Sequence, residues 1–509
     1  MDRRIFLTTA AAGLTAAAGT LPAMAGTTGR LPAAAAPPSA ADGVGGAGAG
    51  EAGAGGAGAG VGPWGGFVRS VEELRAAIAA AAPGAVVTVA DGTYDVTEPI
   101  AITGKRGTCD EPIVIRAESV GGVVLQGPQT FVLSASSDVT LSGFAFRGQT
   151  ATFDVPPDCK RIRLTRNDFQ LADVEGLHWV MLRGDYTEFD HNEFHDKSKL
   201  GIFLGIEGAG TDQMAVGVHI HHNYFRDHSF PGDNGGEPIR LGVSPRALST
   251  AAAVVELNLF ERCNGDPEAV SVKSSGNTVR HNTFRDSMGG IVLRHGNGTR
   301  IEGNYLLSGQ NGIRIYGNDH LIVNNYVEKI GNAGVVLGSG SVRDHYPGEP
   351  SKSRTGNDAP DRVRIALNTV LDCESGIVGE SHRTLPPLDC AVTDNLLVAD
   401  SGELVNMPFQ DGITWSGNIH WGQGTDGNAP AAAFTRVDPR LATGTDGVRR
   451  LTSGSPAINA ASRAYPDVPR DLDGDHRTGR TADVGADEYS PRRPAYRPLT
   501  PVDVGPHAR

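Results

Sequence analysis

The sequence predicts an all-β fold of the solenoid type, a single-stranded parallel β-helix that is closed at its N-terminal end by a short helix. Gly supplies 68 of the 509 residues, and a chain this rich in Gly requires many turns between short elements. Short runs that alternate apolar and polar residues predict strands with one buried face. An Asn followed two residues later by an apolar residue recurs after these runs, at Asn167, Asn192, Asn223, Asn258, Asn282, Asn304, Asn325, Asn368 and Asn395.

The interval between these asparagines is 21 to 27 residues wherever no insertion interrupts the repeat. This is the period of a solenoid, in which each coil buries its inner face against neighbouring coils. Leucine-rich repeats share the period, but their Leu-x-x-Leu-x-Leu frame is absent. A parallel β-helix therefore remains, with the asparagines stacked as a hydrogen-bonded ladder. The longest interval contains residues 338–362, which are predicted to form a loop over one face.

The N-terminal residues have the pattern of an export signal. Within residues 1–25, an Arg pair precedes an apolar stretch, and an Ala-Met-Ala cleavage site ends at Ala25. The Arg pair is typical of the twin-arginine route, which exports folded proteins. Residues 26–62 follow as a Gly/Ala-rich disordered linker that cannot build a core. We therefore expect a secreted protein, extracellular or periplasmic.

The remaining elements follow in order along the chain. A Ser-Val-Glu-Glu capping box at 70–73 predicts a short amphipathic helix over residues 70–82, and a strand is predicted at 86–89. The helix would cover the open N-terminal end and hide its edge strands. The β-helix domain is predicted to span residues 63–440. Residues 441–509 are predicted to form a C-terminal closing segment and tail.

Charge and composition exclude several classes of function. The formal charge is −13, from 45 basic and 58 acidic side chains, which argues against a nucleic-acid partner. No apolar run approaches the about 18 residues that a membrane-spanning helix requires, so no membrane partner is expected. Wide spacing argues against a metal site built from the cysteines, which are Cys109, Cys159, Cys263, Cys373 and Cys390.

Two acidic and three basic residues are the first candidates for a functional site. Asp266 and Glu268 lie two residues apart and face the same side of an extended segment, where their charges repel unless a cation lies between them. Oxygen ligands of this kind suit Ca²⁺ or Mg²⁺. Lys273, Arg294 and Arg314 follow at intervals of 21 and 20 residues, which predicts a basic column suited to an extended polyanion. Lys273 differs from the acidic pair in strand parity, so it shares their cleft only if a bulge intervenes.

The motifs around these residues resemble polysaccharide lyase family 6, which contains alginate lyases and chondroitinase B. They are Gly107-Thr-Cys-Asp-Glu-Pro-Ile-Val-Ile-Arg-Ala, Asp266-Pro-Glu-Ala-Val-Ser-Val-Lys-Ser, Asn282-Thr-Phe-Arg-Asp-Ser-Met-Gly-Gly, Leu293-Arg-His-Gly, Gly312-Ile-Arg-Ile-Tyr-Gly and Asn325-Tyr. The resemblance extends to about Leu397. It implies a right-handed parallel β-helix and an enzyme that breaks a uronate-containing chain by β-elimination.

The resemblance also implies the roles of individual residues. Lys273 matches the Brønsted base that removes the proton from C5 of the uronate. Arg294 matches the residue that acts as acid or stabilises the leaving side. His295 and Arg314 match positions that line the sugar subsites, and Arg240 is predicted to bind substrate with them.

The implied cofactor is Ca²⁺. Asp266 and Glu268 match two calcium ligands, although the first is usually Glu, so the side chain here is one methylene shorter. Asn234 matches the third ligand, with Glu237 as the alternative. A divalent cation on the substrate carboxylate would offset the negative charge that develops when the C5 proton leaves.

Alginate is the first expected substrate and dermatan sulfate the second. Sulfate recognition would need further basic groups near the cleft, for which His382, Arg383 and residues 343–345 are candidates. A glycoside hydrolase or pectate-type lyase on the same solenoid is an alternative, because Asp266 and Glu268 resemble a catalytic pair of carboxylates. A non-catalytic carbohydrate-binding protein or adhesin is the other. The products separate these alternatives, since elimination leaves a carbon–carbon double bond and hydrolysis does not.

Overall fold

A computed structural model describes residues 66–477 and 481–509. The export signal predicted at residues 1–25 and the linker predicted at 26–62 lie outside the described residues. Within the described part of the chain, no helix is long and apolar enough to cross a membrane. Each of the five cysteines is a free thiol.

Successive coils contribute one strand each to three long sheets, and within a sheet each strand pairs in parallel with its counterpart in the next coil. This arrangement confirms the predicted parallel β-helix. Sheet 1 has 13 strands, which are Val86–Val89, Ile113–Ala117, Ser137–Ser142, Lys160–Thr165, Glu188–Asp190, His219–His221, Val254–Glu256, Thr278–Arg280, Arg300–Glu302, Leu321–Val323, Arg364–Ala366, Cys390–Thr393 and Ile413–Ser416. Sheet 2 has 14 strands, which are Gly92–Asp95, Val123–Gln126, Phe144–Arg147, Asp168–Gln170, Glu193–Phe194, Tyr224–His228, Leu259–Cys263, Thr283–Arg285, Tyr305–Leu307, Tyr326–Glu328, Thr369–Leu371, Leu396–Val398, Asn418–Trp421 and Phe434–Arg436.

Sheet 3 has 10 strands and carries the candidate site. Its strands are Phe153–Val155, Val180–Leu182, Leu204–Ile206, Ile239–Leu241, Glu268–Lys273, Gly290–His295, Ile313–Ile315, Ala333–Leu337, Ser375–Gly379 and Glu403–Asn406. Two further pairs complete the strands, one parallel and one antiparallel: Ile100–Thr103 with Phe131–Ser134, and Leu441–Thr443 with Arg449–Leu451. Short 3₁₀ helices lie at Ser244–Arg246, Ser351–Thr355 and Ala431–Ala433.

The predicted capping helix is present at Val71–Ala80. The Ser70 hydroxyl accepts the backbone N–H of Glu73 at 3.1 Å, which satisfies one of the free donors at the helix N-terminus. The helix packs on the first strand of sheet 1 and on the strand Ile100–Thr103. Its buried face consists of Leu74, Ala77 and Ile78. These apolar contacts cover the end of the solenoid, as the capping box predicts.

The asparagines predicted from the repeat form one continuous buried ladder at the corner between sheets 1 and 2. In a typical step, the side-chain oxygen of Asn304 accepts the backbone N–H of Asn282 at 3.1 Å and the side-chain amide of Asn282 at 3.0 Å. The ladder extends one coil beyond the repeat, to Asn418. The residue before a ladder asparagine adopts the left-handed conformation, as His281 does with φ +53°. That turn lets the chain change sheets while its backbone polar groups stay paired.

Residues 441–477 and 481–509, which we call the C-terminal strap, lie along the outside of the β-helix. Leu472 and Ala486 pack against buried side chains of sheet 2. Farther along, the backbone N–H of Gly505 donates to the His222 carbonyl at 2.8 Å. The Arg166 guanidinium donates to the Pro506 carbonyl at 2.8 Å, across 340 residues of sequence. The strap therefore runs back from the last coils towards the early ones.

Candidate functional site

An open cleft of about 270 Å³ lies on the outer face of sheet 3. Four of the predicted site residues line it, namely Asp266, Glu268, Arg294 and Arg314, together with Glu380, which the sequence analysis does not single out. The loop at residues 338–362 lies to one side, because its 3₁₀ helix packs against Ser244–Arg246. The fold therefore brings acidic and basic groups from three successive coils, and from the end of a later strand, to one surface.

Two register slips bring Lys273 and Arg294 to this surface. The strand Glu268–Lys273 pairs with Gly290–His295 in a register that shifts once near each end of the pairing. Lys273 lies opposite His295, and Arg294 is the extra residue at the second slip. The bulge that the strand parity of Lys273 requires is therefore present. It changes the direction in which both side chains point, as bulges do.

The basic column predicted from equal sequence intervals is not formed. Arg314 lies opposite Val292 and not opposite Arg294. When the paired positions are followed from strand to strand, Arg314 lies in the same row of the sheet as Arg240, which is three coils earlier. One coil measures 22 residues both from Lys273 to His295 and from Val292 to Arg314, so the intervals of 21 and 20 residues each fall short of a full coil.

Each predicted cation also has a carboxylate partner. The pairs are Lys273 Nζ with Glu237 Oε1 at 3.2 Å, Arg294 Nη1 with Glu268 Oε1 at 3.1 Å, and Arg314 Nε with Glu380 Oε1 at 2.8 Å. The cleft therefore alternates positive and negative groups. A polyanion entering it would meet these cations already held in place by ion pairs.

Asp266 lies at the buried end of the acidic group, with 2% of its surface exposed. One of its carboxylate oxygens accepts the N–H of Glu268 at 2.9 Å, and the other accepts the N–H of Gly235 at 2.7 Å. Burial, together with the negative charges of Glu237 and Glu268, raises the pKa of Asp266 to about 7. Three carboxylates thus crowd one corner of the cleft, where a cation would relieve their repulsion.

Glu237 is the buried member of the two residues considered for the third metal ligand. It is 1% exposed, and its Oε2 atom is buried without a hydrogen-bond partner among the described residues. Asn234 is exposed and lies next to Gly235, which binds Asp266. The atoms at this corner that could bind a metal ion are all oxygens, and one of them has no hydrogen-bond partner among the described residues. The residues present therefore fit a hard divalent cation such as Ca²⁺.

A second group of potential metal ligands lies on sheet 1. Atoms of Glu188, Asp190 and His221 come within 4.8 Å of one another. Both Asp190 oxygens already accept hydrogen bonds from Arg163, at 2.8 and 2.9 Å, and Glu188 pairs with His221 at 3.3 Å. This group is therefore a network of ion pairs on another face of the molecule, separate from the cleft.

His295 is buried and is not among the residues that line the cleft. Its Nε2 atom is 3.0 Å from the hydroxyl of Ser244. Burial, reinforced by the positive charges of Arg294 and Lys273, lowers the pKa of His295 to about 3. Arg240 lies two strands before the strand of Arg294, and its nearest carboxylate contact is 3.9 Å away.

The candidate sulfate-binding residues are placed differently from one another. Arg383 joins the cleft, because its guanidinium donates to Glu380 at 3.1 Å. His382 is mostly exposed. Arg343 is engaged away from the cleft cations, in an ion pair with Asp361 at 2.7 Å. One of these candidates therefore belongs to the site.

Glu237 and Glu380 form ion pairs that no local sequence pattern marks, whereas Tyr316, which donates its hydroxyl to Glu380, lies within the motif Gly312-Ile-Arg-Ile-Tyr-Gly. Glu380 is separated from Arg314 by 66 residues and meets it only because two coils and the 338–362 insertion lie between them. The sequence suggests Glu237 only as an alternative metal ligand, and its pairing with Lys273 spans 36 residues. Contacts of this kind follow from sheet register, which the sequence alone does not display.

The arrangement combines the groups that proton abstraction next to a carboxylate requires. An amine and a guanidinium project from neighbouring strands, and oxygen ligands for a cation lie beside them. Groups held by ion pairs and hydrogen bonds need little reorganisation when charge develops in a bound substrate. The cleft is therefore suited to chemistry on an anionic sugar chain.

Comparisons with known proteins agree with this geometry. The chain is 26% identical to the family 6 alginate lyase AlyGC, with a TM-score of 0.67 over 76% of this chain, but it spans only 55% of that longer protein. A mannuronic-acid-specific family 6 lyase from human gut microbiota is 25% identical, with a TM-score of 0.65, over 73% of this chain and 91% of that one. Pedsa3628 from Pseudopedobacter saltans, at 22% identity and a TM-score of 0.60, covers 87% of this chain and 99% of its own, and shares the fold.

No curated protein sequence matches the chain significantly. The family model for chondroitinase B matches residues 68–382, which cover more than half of the sequence and contain every predicted catalytic residue and metal ligand. The chain therefore belongs to the chondroitinase B family of polysaccharide lyases, polysaccharide lyase family 6.

Proposed function

We propose that the protein is a secreted lyase that cleaves a uronate-containing polysaccharide by calcium-assisted β-elimination, with alginate as its substrate. The observation that carries this proposal is the cleft on sheet 3, which Arg294, Asp266 and Glu268 line. Lys273 is not among the lining residues, but it ends the strand that begins at Glu268, and its amine lies 3.2 Å from Glu237. The choice of alginate is supported by AlyGC and the gut lyase, which are alginate and mannuronate lyases by name. Export is supported by the signal pattern at residues 1–25.

In the proposed reaction, the amine of Lys273 acts as the base and takes the proton from C5 of a uronate. The electron pair of the C5–H bond forms the C4–C5 double bond, and the C4–O bond breaks with its electrons leaving on the oxygen. Arg294 donates a hydrogen bond that stabilises that departing oxygen, which takes its proton from solvent. The ion pair of Arg294 with Glu268 orients the guanidinium for this contact.

Asn234, Asp266 and Glu268 would hold the calcium ion, with the spare oxygen of Glu237 beside them. When bound, the ion would supply positive charge that neutralises the substrate carboxylate and makes the C5 proton easier to remove. Glu237 also holds the amine of Lys273 from the buried side of the cleft. The side chain of Ser271 donates to Glu268, which fixes that carboxylate at the edge of the site.

The substrate assignment is tested by incubating the protein with mannuronate-rich alginate, guluronate-rich alginate and dermatan sulfate, each with and without Ca²⁺. We expect products with ultraviolet absorbance, which marks the new double bond, from alginate in the presence of Ca²⁺. Cleavage of dermatan sulfate alone would replace alginate as the substrate. New reducing ends without a double bond would indicate a hydrolase, and binding without cleavage would indicate a carbohydrate-binding protein.

The calcium assignment is tested by titration calorimetry of the metal-free protein with Ca²⁺, and by its thermal unfolding. Glu268→Gln keeps hydrogen-bonding groups towards Arg294 and Ser271 but removes one ligand charge, so we expect weaker Ca²⁺ binding. The wild type should gain about 2.7 kcal/mol of stability at a Ca²⁺ concentration of 100 times Kd. Glu403→Gln, an exposed carboxylate on the same sheet, is the matched control and should bind Ca²⁺ normally. Unchanged stability with Ca²⁺, together with full activity in EDTA, would contradict a calcium role.

A further inference from the structure

Glu380 is the centre of a hydrogen-bonded network at one wall of the cleft. Its side chain is nearly buried, and both of its carboxylate oxygens accept the hydroxyl of Tyr316, at 2.9 and 2.8 Å. Arg314 donates from Nε to one oxygen at 2.8 Å, and Arg383 donates from Nη1 to the other at 3.1 Å. One carboxylate therefore fixes two guanidinium groups and one phenol.

The Tyr316 ring also contacts both arginines. The guanidinium carbon of Arg314 lies 5.4 Å from the ring centre, and that of Arg383 lies 5.0 Å from it. Tyr316 itself is fully buried, so the ring is a rigid support for the two cations. Burial acts to raise the pKa of Glu380, but the charge of Arg314 and the Tyr316 hydroxyl outweigh it and hold that pKa below its ordinary value.

The network carries more positive than negative charge, and Arg314 and Glu380 are its members that line the cleft, with Arg383 behind them on Glu380. Two guanidinium groups share one carboxylate, and 39% of the Arg314 side chain and 21% of the Arg383 side chain remain exposed. Glu380 occupies the Nε edge of Arg314, so the other N–H groups of that guanidinium are available to a ligand. A purely structural ion pair would need only one of these cations. The second positive charge is therefore available to bind a carboxylate of a ligand.

Near the opposite end of sheet 3, another carboxylate lies between two arginines but does not hold both of them by hydrogen bonds. Glu207 also lies between two arginines, but its contact with Arg240 is 3.9 Å and too long for a hydrogen bond. Its second partner, Arg246, is buried and donates to the carbonyl of Gly210 at 2.8 Å. Arg240 is therefore held loosely, whereas Arg314 is held by direct hydrogen bonds.

We propose that Glu380 is a positioning residue that holds Arg314 and Arg383 as a paired cationic clamp for the carboxylate of a sugar next to the one that reacts. The strands of Arg294 and Arg314 are neighbours, about 4.8 Å apart, and Arg314 lies opposite Val292, two residues along the strand from Arg294. The two guanidinium groups are therefore offset, and an extended polyuronate that contacts Arg294 would present its next sugar towards the clamp. The clamp rests on the proposed function for its ligand. It acts on binding and leaves the proton transfer to other residues.

Glu380→Gln tests the clamp, because it removes the charge while keeping the size of the side chain. We expect KM for the polymer to rise about 10-fold with kcat within about 2-fold of wild type, since the lost contacts hold substrate and transition state equally. Tyr316→Phe removes only the hydroxyl and should shift KM in the same direction by less. Glu403→Gln is the matched control, because that carboxylate is exposed and pairs with the Asn406 amide.

A merely structural role predicts a different result. It would lower the melting temperature of Glu380→Gln without changing KM at temperatures where the variant stays folded, and that outcome would overturn the clamp. The KM penalty should also disappear with oligosaccharides too short to reach Arg314, which a folding defect would not produce. If Glu380→Gln fails to fold, an unchanged KM in Tyr316→Phe overturns the proposal.

Failure of the proposed function is distinguishable from failure of the clamp. If the wild type releases no unsaturated product from any polyuronate, the lyase assignment fails. The clamp is then tested by calorimetric titration of the wild type and Glu380→Gln with polyguluronate and polymannuronate. Weaker binding by the variant supports the clamp, and equal affinity overturns it.

Discussion

Replacing Lys273 by alanine is expected to lower kcat for polysaccharide cleavage by about 10²- to 10⁴-fold, the range that a positioned general base contributes. The substitution removes the amine that lies 3.2 Å from Glu237, next to the acidic corner. The measurement is the initial rate of double-bond formation, followed by ultraviolet absorbance, with binding of the same substrate measured by calorimetry. We expect binding to survive.

Alanine at position 273 also removes the ion-pair partner of Glu237, which is buried. Lys273→Arg separates this effect from catalysis, because arginine keeps a cation beside Glu237 but retains its proton at any working pH. We expect the arginine variant to be folded and inactive. Lys160→Ala, at an exposed lysine on sheet 1, should keep wild-type activity. Near-normal turnover by Lys273→Arg would exclude Lys273 as the base.

Removal of the C-terminal strap is expected to prevent stable folding. A chain ending at residue 440 would expose side chains of sheet 2 that the strap now buries, including Tyr305, Leu371, Leu396 and Leu259. Each large apolar side chain contributes about 1.5–3 kcal/mol when buried, so the combined loss is comparable to the 5–15 kcal/mol net stability of a typical domain. Thermal unfolding followed by circular dichroism, together with the soluble yield, measures the effect.

A point substitution gives a graded version of the same experiment. Leu499 packs on Tyr224 and Leu259, so Leu499→Ala should reduce the free energy of unfolding by about 2–3 kcal/mol. Leu388 is 42% exposed, and Leu388→Ala should change the free energy of unfolding by less than about 0.5 kcal/mol. A soluble truncated chain with the melting temperature of the full-length protein would show that the strap contributes little to stability.

Much of the fold could be predicted because its signals are local or periodic. The capping box at Ser70 marks a helix start within four residues, and the structure has that cap. The asparagine ladder repeats once per coil, so insertions lengthen the interval without hiding the pattern. Asn418 continues the ladder although its sequence, Asn-Ile-His-Trp, lies beyond the last repeat identified.

The candidate site could be predicted only in part, because its geometry depends on register. The interval between Lys273 and Arg294 is one coil, yet the bulge places Lys273 opposite His295. Nothing local in the sequence marks that extra residue. Glu380 is harder still, because it reaches Arg314 across a 66-residue interval that contains a long insertion. Ion pairs between residues of distant coils therefore cannot be predicted from local sequence patterns.

The strap has a consequence for how the protein loses its structure. In an ordinary repeat protein each coil contacts only its neighbours, so unfolding can begin at one end and proceed coil by coil. Here the strap ties Arg166 to Pro506 and Thr283 to Leu499, and thereby connects coils that never touch directly. Opening any strapped coil strains the contacts of several others. We therefore expect the strapped coils to unfold cooperatively, as one unit.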